Sequence, residues 1–115
     1  MTGPQPDENG KPAFEPATAS ALIGKYVLVG ITYLTASGDF DRQEQFHGRV
    51  ISADERKGIS IALEGARSGE TKWLPPVTNT FKAAPKGDYR LLSTGEVVVD
   101  PDFTTQWTVN KPPAA

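Results

Sequence analysis

From Lys25 to Leu34 nearly every position is β-branched, aromatic or leucine, over a length of ten residues, which is the signature of a strand. Val27, Val29, Ile31 and Tyr33 fall on one face and Tyr26, Leu28 and Leu34 on the other, so this strand is predicted to be central, or bent between two layers. Gly30 at its middle fits a bend. Turn chemistry follows at Ala36 to Asp39, and then Asp41 to Ser52 alternates. Phe46, Gly48 and Val50 share one face; Gln43, Gln45, His47, Arg49 and Ile51 share the other. Beyond a charged connection at 53–58, Ile59, Ile61 and Leu63 alternate with Ser60, Ala62 and Glu64, a half-buried strand. Shorter strands are predicted at 70–74, 89–92, 96–99 and 104–109, with Ser93-Thr94-Gly95 as the turn between the second and third of them. From Pro75 to Asp88 the pattern has no usable period. Such a connection is expected to be a binding loop, a packed loop, or a crossover with a short helical turn.

Without a helix of any length, these elements predict an all-β fold: a small barrel or barrel-like sandwich of about six to seven short strands. Ten prolines and eleven glycines in 115 residues agree, and the length suits one domain. Residues 1–20 carry Pro4, Pro6, Pro12 and Pro16, and Phe14 is the one large apolar side chain after Met1 before the domain starts. This segment is expected to be a disordered leader, because it cannot bury enough surface to offset its ordering entropy. Residues 111–115, with Pro112 and Pro113, read as a tail. The domain is then 21–110.

Three stretches extend the reading. They are Leu22-Ile23-Gly24-Lys25-Tyr26-Val27-Leu28-Val29, Gly48-Arg49-Val50-Ile51-Ser52-Ala53-Asp54 and Gly58-Ile59-Ser60-Ile61-Ala62-Leu63. Together, over residues 22–63, they resemble the first three strands of SH3-like and Sm-like small barrels, in which a bent, glycine-bearing second strand precedes a short charged turn and an apolar strand. The resemblance implies an SH3-like barrel. It does not extend to RNA reading, since Lys57-Gly58 stands where the Sm pattern has an asparagine-bearing loop.

Composition closes several function classes. The chain has no cysteine, which removes disulfides, thiolate metal sites and a cysteine nucleophile. Twelve Lys and Arg against fourteen Asp and Glu, net −2, are interspersed, so nucleic acid is not an expected partner. No apolar run approaches eighteen residues, so no helical membrane span is expected. The first ten residues lack the charged and apolar regions of a secretory signal, and a cytoplasmic location is expected, as a monomer or small homo-oligomer.

His47 is the single histidine. With Glu44 and Asp41 nearby it could shuttle a proton or ligate one metal ion, but without a second histidine or a cysteine the expected reading is a solvent-facing side chain with no catalytic role. Asp39, Asp41 and Glu44 offer oxygens to a hard cation, yet they lack the spacing of a calcium loop, and no metal site is expected. No glycine-rich run leads into a helix, so no nucleotide cofactor is expected. Trp73, Pro75, Pro76 and Phe81 make a stiff apolar stretch of the kind that anchors protein partners, or else Trp73 and Phe81 plug the barrel end. Trp107 is expected in the core. The face carrying Gln45, His47 and Arg49 is either solvated sheet or a hydrogen-bonding recognition surface. The function expected is a non-enzymatic protein-binding module acting through Trp73, Pro75, Pro76, Phe81, His47, Arg49 and Gln45. The alternative is a small-ligand-binding protein or enzyme using a barrel mouth around His47.

Overall fold

The computed structural model of the chain describes residues 13–111. Among the described residues one helix, α1 (Pro16–Leu22), is followed by eight strands: β1 (Tyr26–Leu34), β2 (Phe40–Asp54), β3 (Gly58–Leu63), β4 (Thr71–Leu74), β5 (Phe81–Ala83), β6 (Asp88–Arg90), β7 (Val97–Val99) and β8 (Phe103–Asn110). A single 3-10 turn, Gly65–Arg67, separates β3 from β4. Six strands form one sheet in the order β4-β3-β2-β1-β8-β5, and β6 pairs with β7 in a second. The all-β class is therefore right, but the expected barrel does not close: β4 and β5 stand as the two ends of the sheet.

The long β2 accounts for the curvature. Its first part pairs with β1 and its last part with β3, and Gly48 lies where both pairings overlap, opposite Val27 on one side and Leu63 on the other. A β-carbon there would collide with the Ala62 carbonyl oxygen, so only glycine lets the backbones approach this closely. A bulge at Ile51 adds twist. Around the concave side gather Val27, Val29, Ile31, Phe46, Val50, Ile59, Ile61, Leu63, Leu74 and Phe81, with Trp107, Phe103 and Val109 packed at the margin. The alternation read from the sequence on β1, β2 and β3 places Val27, Val29, Ile31, Phe46, Val50, Ile59, Ile61 and Leu63 on one face, as found.

Residues 13–20 differ from the expected leader, and residues 1–12 lie outside the described ones. Pro16 opens α1 at its first turn, where a missing N–H costs nothing, and the run Ala17 to Leu22 has high helix propensity. Ala19 and Leu22 face inward, Leu22 with no exposed surface, so a segment poor in large apolar residues needs one leucine and one alanine on the same helical side to dock. Just before it, the Thr78 N–H donates to the Ala13 carbonyl (2.8 Å) and the Glu15 N–H to Thr78 Oγ1 (2.9 Å). The connection after β4, without period in sequence, is thus a dock for residues 13–15, and Thr78 is buried there. At the other end Lys111 bonds back to the Leu34 carbonyl and pairs with Asp41.

Candidate functional site

The convex face of the sheet, which the alternation assigns to Tyr26, Leu28, Gln45, His47 and Arg49, carries a second layer. Gln45 Oε1 accepts the N–H groups of Leu92 (2.7 Å) and Ser93 (3.2 Å), and Glu96 reaches His47. Leu91 and Val98 are buried without belonging to the main core. The β6–β7 hairpin therefore lies over this face, and His47 is 7% exposed. The expected solvent-facing histidine is corrected: a polar strand face became an interface because its side chains supply the hydrogen bonds that a covering hairpin tip needs.

Both ring nitrogens of His47 are engaged. Nδ1 lies 2.6 Å from the Tyr26 hydroxyl and Nε2 3.4 Å from Glu96 Oε2. Burial, followed by the nearby charge of Glu64, raises the Tyr26 phenol above its ordinary value. A carboxylate oxygen can only accept, so Nε2 is the donor toward Glu96; in the neutral ring Nδ1 is then the acceptor, and the Tyr26 hydroxyl donates to it. Glu96 is held from behind by the Ala66 N–H (2.9 Å) and by Thr94 Oγ1 (3.0 Å). The Ala66 bond is the main reason its carboxyl titrates below the usual range. Gly65 makes this convergence possible, for a β-carbon there would collide with the Glu96 carboxylate.

Beside this chain of bonds the hairpin and the sheet part, leaving an open cleft of about 340 Å³ lined by Tyr26, His47, Arg49, Val97 to Asp100, and Asp102. Arg49 is exposed, its guanidinium carbon 5.3 Å from the Tyr26 ring centroid and its Nη1 donating to the Gly24 carbonyl (3.1 Å). Two carboxylates line it as well. Asp102 accepts the Tyr26 N–H and returns its own N–H to the Tyr26 carbonyl; Asp100 does the same with Gly87. Asp100 holds φ at 48°, the one described non-glycine residue with a positive φ, a strained geometry of the kind that gathers at binding sites.

The residues singled out in sequence separate. His47 and Arg49 line the cleft, and Gln45 ties down the hairpin beside it. Phe81 lies in the core, so it offers no surface anchor, and Trp107 packs against the core as expected. Trp73 is 50% exposed on β4, opposite Ser60, away from Phe81, with Pro75 exposed and Pro76 half-buried after it. Asp39, Asp41 and Glu44 do not converge: Asp39 closes the β1–β2 turn, Asp41 pairs with Lys111, and Glu44 is bound by Arg67, Lys72 and Tyr33. Tyr26, Gly65, Glu96, Asp100 and Asp102 were not singled out. Asp100-Pro101 reads in sequence as a turn, and nothing local to Glu96 announces its partner 49 positions away.

Among the described residues no helix is long and apolar enough to cross a membrane. Compared with protein-family models, curated proteins and solved structures, the chain finds no match.

Proposed function

We propose that this domain is a non-enzymatic binding module that holds part of another protein in the cleft between the β6–β7 hairpin and the start of β1. The observation that carries this is the state of His47. A general acid or base must turn one nitrogen toward its substrate, and here both nitrogens are bonded within the protein, to Tyr26 and Glu96. The histidine acts as a strut that seats the hairpin, and the cleft beside it presents fixed polar groups on a rigid scaffold. The resemblance of residues 22–63 in sequence to the first strands of SH3-like barrels is in keeping with a recognition role. A small-molecule ligand is the second reading, favoured by a volume at the lower end of ligand pockets.

A photo-crosslinker at the position of exposed Val97 tests both. In extract of the producing cells it is expected to capture a protein, and Arg49→Trp, which obstructs the cleft from the exposed sheet side and leaves the core untouched, is expected to lower the yield at least tenfold. Capture indifferent to Arg49→Trp would overturn the assignment of the cleft. Turnover by the purified chain would overturn the non-enzymatic reading.

A further inference from the structure

Backbone geometry says how a partner would be held. In β6–β7 the Leu91 N–H donates to the Glu96 carbonyl and the Asp100 N–H to the Gly87 carbonyl, while Tyr89 lies opposite Val98. Bonded and non-bonded pairs alternate along an antiparallel ladder. Since the 91–96 and 87–100 pairs are bonded, the 89–98 pair is too, and Val97 and Val99 turn their N–H and C=O groups away from β6. No hydrogen bond to those four groups occurs among the described residues. β7 is thus a strand edge with an unused row of donors and acceptors, and such an edge is a template for another strand.

The cleft follows this strand. Four consecutive residues, Val97 to Asp100, line it, with Arg49 and Tyr26 on the facing wall. At the far end Asp100 and Asp102 each give one carboxylate oxygen to a backbone N–H, and the second oxygen of each has no protein partner among the described residues. Two half-used carboxylates against one arginine, itself already bonded to Gly24, leave the cleft with net negative charge. The strained Asp100 turns the chain at the point where a paired strand would pass the end of β7.

Resting on the binding reading above, we infer that the occupant is an extended segment of another protein, added as a third strand along the open edge of β7 and carrying a lysine or arginine that meets Asp100 and Asp102. Main-chain hydrogen bonds supply affinity in this mode and side-chain contacts supply selectivity. The acidic rim sets the preference for a basic residue.

The test selects binders for the full-length chain from a random twelve-residue phage-displayed peptide library and compares the strongest synthetic peptide with copies N-methylated at alternate amides. The expected result is enrichment of lysine or arginine at one fixed position, at least tenfold weaker binding on methylation of one alternate set, and slowed hydrogen exchange at the Val97 and Val99 amides. Val99→Pro removes a donor that β6 does not use, and it is expected to abolish binding while the amide spectrum stays dispersed. Where that variant does not fold, the methylated peptides decide. Binding that Arg49→Trp blocks but that tolerates every methylation overturns strand addition and leaves the cleft assignment standing. Failure to select any peptide overturns both. A dimer of the full chain in sedimentation that Val99→Pro dissolves makes a second copy the occupant and overturns the assignment to another protein.

Discussion

A β-carbon added to Gly65 would meet the Glu96 carboxylate and come within 2.8 Å of His47 Nε2, and the backbone there holds φ at 71°. Both the space and the torsion therefore require glycine. Gly65→Ala is expected to cost about 1–3 kcal/mol from the left-handed backbone alone, and to push Glu96 off the histidine. Urea unfolding measures the first effect, and ¹⁵N shifts of the His47 ring the second. An unchanged midpoint with unchanged ring shifts would show that the three groups do not meet as described. In sequence Gly65 is one of several single glycines in turns, and its turn character is legible. Its contact with a residue 31 positions later is not, because local pattern carries no information about which loop will be laid over it. The same limit applies to His47: its parity on β2 is readable, whereas its burial depends on a hairpin whose docking side no periodicity records.

At the scale of elements, acid should loosen both the hairpin, which Glu96 ties to the sheet, and the link from β2 to β4, which Glu44 makes with Lys72. Glu96 titrates below its ordinary 4.5, first because of the Ala66 N–H and then through Thr94 and His47. Burial would raise Glu44, but hydrogen bonds from Arg67 and Tyr33 and the charge of Lys72 outweigh it, and its carboxyl also ends below 4.5. A carboxyl whose folded value is depressed stabilises the fold at pH above its unfolded value, and that contribution is lost as pH falls through the folded one. Stability is thus expected to fall as pH drops from about the ordinary carboxylate range downward. Glu96→Gln should be less stable than the parent at neutral pH, with the gap closing in acid, when both lack the charge. Denaturant midpoints across pH for the two proteins give the answer, and parallel profiles would mean that Glu96 does no electrostatic work. The strands themselves were largely readable, since β1, β2, β3 and β8 are long enough for alternation to show. Short β5, three residues long, fell inside the stretch without period, and α1 was hidden by the prolines around it, whose composition suggests disorder until Leu22 is seen to have a core to enter.

For the molecule as a whole the decisive feature is that the last strand of the chain lies inside the sheet. β8 runs parallel to β1, pairing Val27 with Phe103 and Leu34 with Asn110, and on its other side pairs antiparallel with β5. Everything N-terminal to it waits for its arrival: without β8, one edge of the central β1 is bare, β5 has no partner, and Phe103, Trp107 and Val109 leave the margin of the core. Truncating a single large core aromatic costs about 3–5 kcal/mol, against a total stability of about 5–15 kcal/mol for a domain. Removing two half-buried aromatics together with two ladders is a loss comparable with the whole. The fragment 1–102 is therefore expected to lack a cooperative unfolding transition, and a synthetic peptide of residues 103–111 added in trans is expected to restore one. A fragment that unfolds cooperatively by itself would show that the curved β1–β4 meander, with α1 docked on it, is an independent folding unit and that β8 merely seals it. Because the parallel pairing joins residues 76 apart in sequence, Val27 and Phe103, loop closure precedes its reward. The same experiment followed in time should thus find the restored transition appearing only after association, as a single slow phase whose rate rises with peptide concentration.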